Sequence, residues 1–412
     1  MPGRPSAVTC CVAGGGPAGM MLGFLLARAG VRVMVLEKHA DFLRDFRGDT
    51  IHPSTLELMH ELGLLEEFLR VPHQEMPRLI AQFGDTSLAV ADFTHLPTRC
   101  KFIAMMPQWD FLDFLARHGA RYPGFHLEMR AEATALIEEA GRVIGVRGTA
   151  ADGPFEVRAD LVVAADGRSS VLRERAGLHV EDLGAPMDVL WFRLSRAPGD
   201  PAATMGRFDA GRIFVLLNRG PHWQCGYVIP KGSAEDVRRR GLDAFRASVA
   251  ALMPFAADRV AEIRGWDDVK LLTVRVDRLR QWYRPGLLCI GDAAHAMSPV
   301  GGVGINLAIQ DAVAAANRLW LPLREGRLTT EDLRSVQRRR EWPTRVTQWL
   351  QLLVQRRVIT TTLGRRGGRL TPPRLVRLLA RFGSLARIPA RLVGVGVRPE
   401  HVETPERAEA PV

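Results

Sequence analysis

Four glycine-containing stretches, and the acids beside them, carry most of the chemistry legible in this chain. The first is Gly14-Gly15-Gly16-Pro17-Ala18-Gly19, with G-x-G-x-x-G spacing. Gly14 allows a tight turn, Gly16 lets main chain approach a pyrophosphate, and Gly19 lets the following helix pack closely on the preceding strand. A helix starting at Pro17 would turn free amides and about half a positive charge toward the phosphates. Glu37 closes the next apolar run and could accept hydrogen bonds from ribose hydroxyls, which favours NAD or FAD over NADP here. The second stretch is an apolar run, Leu161–Ala165, entering Asp166-Gly167. The third, Gly286–Ile290, enters Gly291-Asp292, with the acid and glycine reversed. Asp292 would either bond a sugar or ribityl hydroxyl or simply cap a helix. Next comes Pro299-Val300-Gly301-Gly302-Val303-Gly304-Ile305-Asn306, whose glycines let main chain lie flat against a planar ligand while a helix N-terminus points at it.

These residues need a scaffold of strands and helices. Ala7–Ala13 reads as a strand, Pro17–Ala29 as a helix with Gly30 just past its end, and Val31–Leu36 as a buried strand, together a βαβ unit. A second helix is expected from Pro53, with Ser54 and Glu57 spaced as a capping box, and a third from about Pro107 to His118. Val189–Ser195, Arg212–Asn218 and Gln224–Ile229 read as short antiparallel strands. Gly286–Gly291 returns to a buried parallel strand, and a helix is expected from about Gly304 to Leu319. The fold class is therefore α/β: a Rossmann-like region with an inserted antiparallel sheet and a helical C-terminal part. The expected division assigns residues 1–75, 99–180 and 276–330 to the dinucleotide region, 76–98 and 181–275 to the sheet, and 331–412 to an Arg-rich helical region.

At 412 residues, 47% hydrophobic and 25% charged, the composition excludes a mostly disordered, collagen-like or coiled-coil protein. Met1–Cys11 lacks a basic stretch ahead of a long apolar core, so no signal peptide is expected, and the Met20–Ala27 run is too short to span a bilayer. The five cysteines, with no Cys-x-x-Cys, fit neither a disulfide framework nor zinc; no metal is expected, and a cytoplasmic location is. The net charge is +11, yet between Arg334 and Arg398 sixteen arginines face one acid, Glu341, so the remainder is mildly acidic. The basic end reads as a solvated helical face, or as an attraction for an anionic membrane or acidic partner, for example at the inner face of a membrane. No nucleic-acid module is present. Val346, Trp349, Leu350, Leu353 and Val354 form an apolar stripe that suits core packing, a dimer seam or membrane contact.

Taken in this order, the motif blocks resemble those of the class A flavoprotein monooxygenases, the family of para-hydroxybenzoate hydroxylase and the ubiquinone-pathway ring hydroxylases, over about residues 6–330. The resemblance implies that Gly14, Gly16, Pro17, Ala18 and Gly19 cradle the FAD diphosphate and that Glu37, with Lys38, lies at the adenosine ribose. Arg47 would reach the diphosphate and ribose, and Gln108 the ribityl-diphosphate region. Asp166 and Gly167 would serve FAD and passing NADH or NADPH; Gly291 and Asp292 would bind ribityl or diphosphate. Pro299 would stand beside the flavin as the catalytic position, and Gly302, Val303, Gly304, Ile305 and Asn306 would present amides to its pyrimidine edge. The implied reaction consumes NAD(P)H and O2 and hydroxylates an aromatic or polycyclic, apolar small molecule through a flavin hydroperoxide. His52 either faces the flavin ring or merely precedes a helix; His295 is read as a packed histidine.

The substrate would lie between the inserted sheet and the flavin, with Trp191, Arg193, Phe214 and Tyr227, and also Leu216 and Cys225, as candidates. Trp191 and Arg193 share one strand face; Arg193 either binds an anionic group or faces solvent, and Tyr227 is either pocket or core. Related-fold halogenases carry a Trp-x-Trp-x-Ile-Pro segment, but here Cys225-Gly226-Tyr227-Val228-Ile229-Pro230 lacks both tryptophans. Alternatives are a non-oxygenating reductase resembling prenyl reductases, that halogenase, or a binding protein resembling GDP dissociation inhibitors. Neither oligomeric state nor the choice of nicotinamide donor is legible.

Overall fold

The structure, a computed structural model, describes residues 4–43, 50–201, 204–365, 371–373, 376–377 and 385–407. Five strands run parallel, in the spatial order Leu287–Cys289, Gly153–Ala164, Ala7–Ala13, Val33–Glu37 and Phe125–Met129. Their centre is Val- and Cys-rich and buried from both sides, as interior parallel strands are. The register is level: Ala13 pairs with Ala164 and Leu36, and Ala164 with Cys289, so the loops after four neighbouring strands emerge at one edge. The helix Pro17–Arg28 has Pro17 in its first turn and is buried nearly all round, between the sheet and the helix Gly304–Arg324. All five cysteines are buried and free, and burial pushes their thiols up, so they pack as small apolar groups.

An antiparallel appendage, Ala131–Glu139, Arg142–Ala150 and the first half of Gly153–Ala164, extends this sheet. Its tight turn uses Ala140 and Gly141, both at positive φ, the geometry of a two-residue hairpin. The expected capping box is absent: His52 caps the helix Pro53–Glu61, Ser54 lies inside it, and the Glu57 carboxylate accepts from the Arg99 amide instead. The parallel strand expected over Gly286–Gly291 narrows to Leu287–Cys289, and the helix after the Pro299–Gly304 stretch runs on through Pro322 to Arg324.

The second sheet has seven strands, in the order Lys270–Leu272, Met187–Ser195, His222–Pro230, Arg212–Asn218, Met205–Asp209, Arg78–Phe83 and Thr86–Asp92. Its pairs are antiparallel except for Met205–Asp209 beside Arg78–Phe83. One face is sealed by the helix Leu242–Leu252, whose Phe245, Val249 and Leu252 pack on Leu190, Phe192, Leu194, Phe214, Leu216, Cys225 and Ile229. The opposite face carries Trp191, Val189, Val228 and Ile213. After Gly304–Arg324 comes the long helix Thr330–Val354, capped by Thr329 and Asp332, and then a π-turn, Gln355–Ile359. Among the described residues no helix is long and apolar enough to cross a membrane.

Candidate active site

At the level edge of the parallel sheet the glycine loop is built by close approach. Gly14 has φ 108°, and a Cβ there would stand 2.3 Å from the Ala165 carbonyl oxygen; a Cβ on Gly19 would stand 1.9 Å from the Gly14 carbonyl oxygen. Around Gly16, by contrast, a Cβ would meet nothing within 4 Å. Gly16 caps the helix Pro17–Arg28 without any side-chain acceptor, so the first-turn amides remain available to an anion. Glu37 is buried, and its carboxylate accepts from the Gly15 and His39 amides, both at 3.0 Å. Glu37 therefore also fixes the loop itself. Lys38 points away, toward Glu132 at 3.7 Å. Arg47 lies outside the described residues.

One strand over, Asp166 follows Ala165. Its Oδ2 accepts from the Leu172 amide at 3.3 Å, while Oδ1 is buried with no partner. Burial raises the Asp166 pKa against the hydrogen bonds that lower it. A buried polar oxygen left open at a sheet edge is what a bound ligand's hydroxyl would satisfy. On the next strand Asp292 accepts from Arg168 Nε at 2.9 Å, with both side chains about one-third exposed. Gly291 packs between Ala18 and Ala308 and donates its amide to Asp311 at 3.1 Å. Gln108 opens the helix Gln108–Gly119 and is half-buried.

Val300–Gly302 forms a short turn in which the Gly302 amide donates to the Pro299 carbonyl at 3.1 Å. Gly304 and Ile305 begin the next helix behind the buried Val303. The Asn306 side chain faces the Thr50–Thr55 segment. Its Oδ1 accepts from the His52 amide at 3.1 Å and the Thr55 hydroxyl at 2.8 Å, and the Thr50 hydroxyl donates to the Gly302 carbonyl. His52 is fully buried, and its Nδ1 donates to the Val393 carbonyl at 2.7 Å. Desolvation lowers its pKa to about 4, so the ring is neutral at pH 7, with Nε2 an unpartnered acceptor.

Beneath the Gly291 turn lies a chain of charges that the sequence reading missed. His295 Nε2 meets Asp311 Oδ2 at 2.5 Å, Arg340 Nε donates to Asp311 Oδ1 at 3.0 Å, and Arg340 also donates to Glu400 at 3.0 Å. Burial opposes ionisation of Asp311, but His295 and Arg340 outweigh it and hold the carboxyl below its usual range. A lone acid in the apolar run Leu307–Ala316 was the available signal.

The strand register sorts the substrate candidates. Trp191, Gly226, Val215, Gly206 and Ala81 form one row across the face of the second sheet opposite the helix Leu242–Leu252, a face partly covered by Val274, Val300 and Ile359. The indole lies on Gly226, and among the described residues a Cβ on Gly206 would meet only the Phe208 ring. Val300, next to Pro299, packs into the cluster that holds Trp191. Arg193 lies on the same face, exposed. Phe214 and Tyr227 do not: both pack on Phe245 or its neighbours on the sealed face, and the Tyr227 hydroxyl meets Ser248 at 3.3 Å. Their placement in the pocket is corrected, as is that of Leu216 and Cys225, because a two-residue period turns them to the opposite side from Trp191. Among the described residues no group of three or more His, Cys, Asp or Glu is placed to hold a metal.

The chain matches the sequence profile of the FAD binding domain family over residues 7–349. It is 34% identical over 354 residues to the 6-methylpretetramide 4-monooxygenase of Streptomyces rimosus, covering 85% of this chain and 84% of that one. It is 31% identical over 341 residues to the rifampicin monooxygenase of Streptomyces venezuelae, where it covers 77% of this chain but spans only 66% of that relative's length. Among solved structures, the p-nitrophenol 4-monooxygenase of Pseudomonas putida superposes with a TM-score of 0.77 at 19% identity, covering 96% of this chain and all of that one, a likeness of fold.

Proposed function

The chain belongs to the FAD binding domain family as a class A flavoprotein monooxygenase, using NAD(P)H and O2 on an aromatic or apolar small molecule, and from that premise we propose where each part is bound and what is hydroxylated. FAD stretches along the level edge: its diphosphate at the uncapped turn of Gly14 to Gly19, its adenosine ribose near Glu37, and its ribityl chain at Asp166-Gly167 and Gly291-Asp292. Its ring lies at Pro299 to Asn306. The unpartnered Asp166 Oδ1 and the open space at Gly16 support the fit. When bound, FAD supplies the electron transfer and oxygen activation. The protein's residues orient it, exclude water and present the substrate. Segments 1–75, 99–180 and 276–330 serve the cofactor in this reading, and 76–98 and 181–275 the substrate.

The observation that carries the reading is that Val300 packs into the Trp191 cluster, so the turn beside Pro299 meets the Trp191 face of the second sheet. In the row Trp191–Gly226–Val215–Gly206 the indole lies flat on Gly226 and Gly206 carries no side chain, which suits a flat, largely apolar ring system beside the indole, with Arg193 nearby for an enolate or phenolate. 6-Methylpretetramide, named for the 34% identical relative, is the first compound to try, followed by simpler phenols. FAD-reconstituted protein should oxidise NADH or NADPH and release a product one oxygen heavier. Oxygen uptake without any hydroxylated product across that panel would refute the reading and favour a non-oxygenating reductase.

A peripheral membrane contact is the finer reading of the basic end. Trp342, Trp349, Leu353 and Val354 are exposed on one helix alongside Arg338, Arg345, Arg356 and Arg357. Tryptophan and arginine together suit an anionic lipid interface. Co-sedimentation with phosphatidylserine vesicles but not phosphatidylcholine vesicles is expected; equal recovery with both would dismiss it.

A further inference from the structure

The long helix Thr330–Val354 buries glutamines where a helix of this kind would ordinarily bury apolar residues. Gln348, Gln351 and Gln355 are 0, 5 and 0% exposed. Their partners are polar groups around Pro299, mostly backbone of Ala296–Val300, with the Asp277 carbonyl and the Ser298 hydroxyl beside them. Gln348 Nε2 donates to the carbonyls of Asp277 and Ala296, at 2.7 and 3.2 Å. Gln351 makes three bonds around Pro299: its Oε1 accepts from the Ser298 amide at 3.2 Å, and its Nε2 donates to the carbonyls of Ser298 and Val300, at 3.0 and 2.8 Å. Gln355 Nε2 donates to the Ser298 hydroxyl oxygen at 2.5 Å, and that oxygen also accepts from the Val300 amide.

The Ser298–Pro299 peptide group and the backbone one residue to either side are thus held by one amide side chain that uses its acceptor and its donor at once, while the Val300 amide is held by the Ser298 hydroxyl. Such a grip is directional, and replacing it with apolar contact would strand three buried backbone groups. The helix changes form just where the grip ends. Gln355–Ile359 is a π-turn, a feature that in helices often marks a functional position. The widening leaves Gln355 on Ser298 and puts Ile359 into the Trp191 cluster of the second sheet. One helix end therefore touches both the turn beside Pro299 and the Trp191 face of the second sheet.

We propose that Gln351 is a positioning residue for oxygen transfer: through its three bonds to Ser298 and Val300 it fixes the height of Pro299 against the flavin ring, and so keeps activated oxygen directed at the substrate. The inference rests on the placement of the flavin ring given above. Gln351 touches neither flavin nor substrate in this scheme; it acts through Pro299. Its loss should leave FAD binding and flavin reduction nearly intact while diverting reduced flavin to hydrogen peroxide instead of hydroxylated product.

The test compares Gln351→Met, which keeps length and loses all three bonds, with Gln351→Glu, which keeps the acceptor for the Ser298 amide and loses the donor. Gln337→Met is the control. Gln337 is an equally buried glutamine on the same helix that accepts from the Trp282 amide and donates to the Arg280 carbonyl, far along the helix from Pro299. The first readout needs no cofactor: hydrogen–deuterium exchange of the apoprotein should be about tenfold faster in the peptide spanning 296–302 for both Gln351 variants and unchanged there for Gln337→Met. The second readout is the share of NAD(P)H electrons recovered as hydrogen peroxide, which should rise about threefold or more in the Gln351 variants at near-normal flavin reduction rates, and stay at the wild-type share in the control. Unchanged exchange in that peptide would overturn the grip. Faster exchange with unchanged coupling, or equal uncoupling by Gln337→Met, would overturn the role in oxygen transfer. A wild-type protein that never hydroxylates would instead overturn the proposed function, and the exchange readout would still decide the grip.

Discussion

His52 is where a single side chain has the sharpest measurable signature. Its folded pKa of about 4 lies below the free value because burial disfavours the charged ring. The unfolded chain therefore takes up a proton first as pH falls. Stability is complete above about 6.5, falls between there and about 4, and loses about 3 kcal/mol in all from this group. His52→Gln should flatten that part of the profile in urea unfolding of the apoprotein between pH 7 and 4; an unchanged slope would show that the ring is not buried neutral. Asp292 makes a second case. Its one described partner is the half-open Arg168, so it contributes little to the fold and much to a ligand that can replace or join that pair. Asp292→Ala should weaken FAD binding by about ten- to a hundredfold, as loss of a charged hydrogen bond would, and leave the melting temperature of the apoprotein close to wild type. Full flavin occupancy at submicromolar FAD would contradict its assignment.

Among the elements, the second sheet and the long helix distribute their roles by face. Phe214 is fully buried against the helix Leu242–Leu252, so Phe214→Ala should cost about 3–5 kcal/mol of stability by opening a cavity. Tyr227→Phe loses only the bond to Ser248 and should change neither KM nor coupling. Trp191→Ala should cost a similar amount, about 3–5 kcal/mol, since the indole is buried against Gly226, Val228 and Ile359, and should in addition raise KM for the substrate, which Phe214→Ala should not. Steady-state kinetics paired with chemical unfolding separates the two faces. The helix Thr330–Val354 inverts the expected pattern. In its C-terminal half the apolar residues Trp349, Leu353 and Val354 are exposed and the glutamines buried, because that half packs on backbone carbonyls and amides, whereas Leu333 and Val336 nearer its start pack into the main core.

Over the whole molecule, the end of the chain acts as a strap. Glu400 meets Arg339 and Arg340, His401 and Val402 bond Glu61, Glu403 and His401 bond Asn317, and the Thr404 carbonyl accepts from Arg28. The segment thereby ties the first helix, the helix Pro53–Glu61 and the two long helices into one body, and its Val393 carbonyl holds His52. Glu400 also balances Arg340, which is buried with Asp311 below the Gly291 turn. Glu400→Ala removes one partner of a buried ion network and should cost about 3 kcal/mol. The same change should loosen FAD, read as a faster release of flavin fluorescence on dilution; intact stability would show that Asp311 alone suffices for Arg340.

Local chemistry made part of this legible in advance. The glycine loop, Glu37, Asp166, Asp292 and the turn after Pro299 were readable because each is a short segment whose residue types are dictated by backbone geometry at that spot: positive φ, a close approach, an acid at a strand end. The α/β class followed from apolar runs alternating with helical spacing. What the sequence by itself determined, then, was that several loops suited to one dinucleotide exist and that strands position them. Which face of a strand or helix meets those loops was decided only by tertiary structure. Tyr227 and Trp191 are both aromatic and lie on neighbouring strands, and only register and the helix Leu242–Leu252 assign them to opposite faces of the sheet. The glutamines of Thr330–Val354, and Asp311 with Arg340 and Glu400, were illegible for the same reason. A buried polar side chain is made stable by partners distant in the chain, and no local pattern names them.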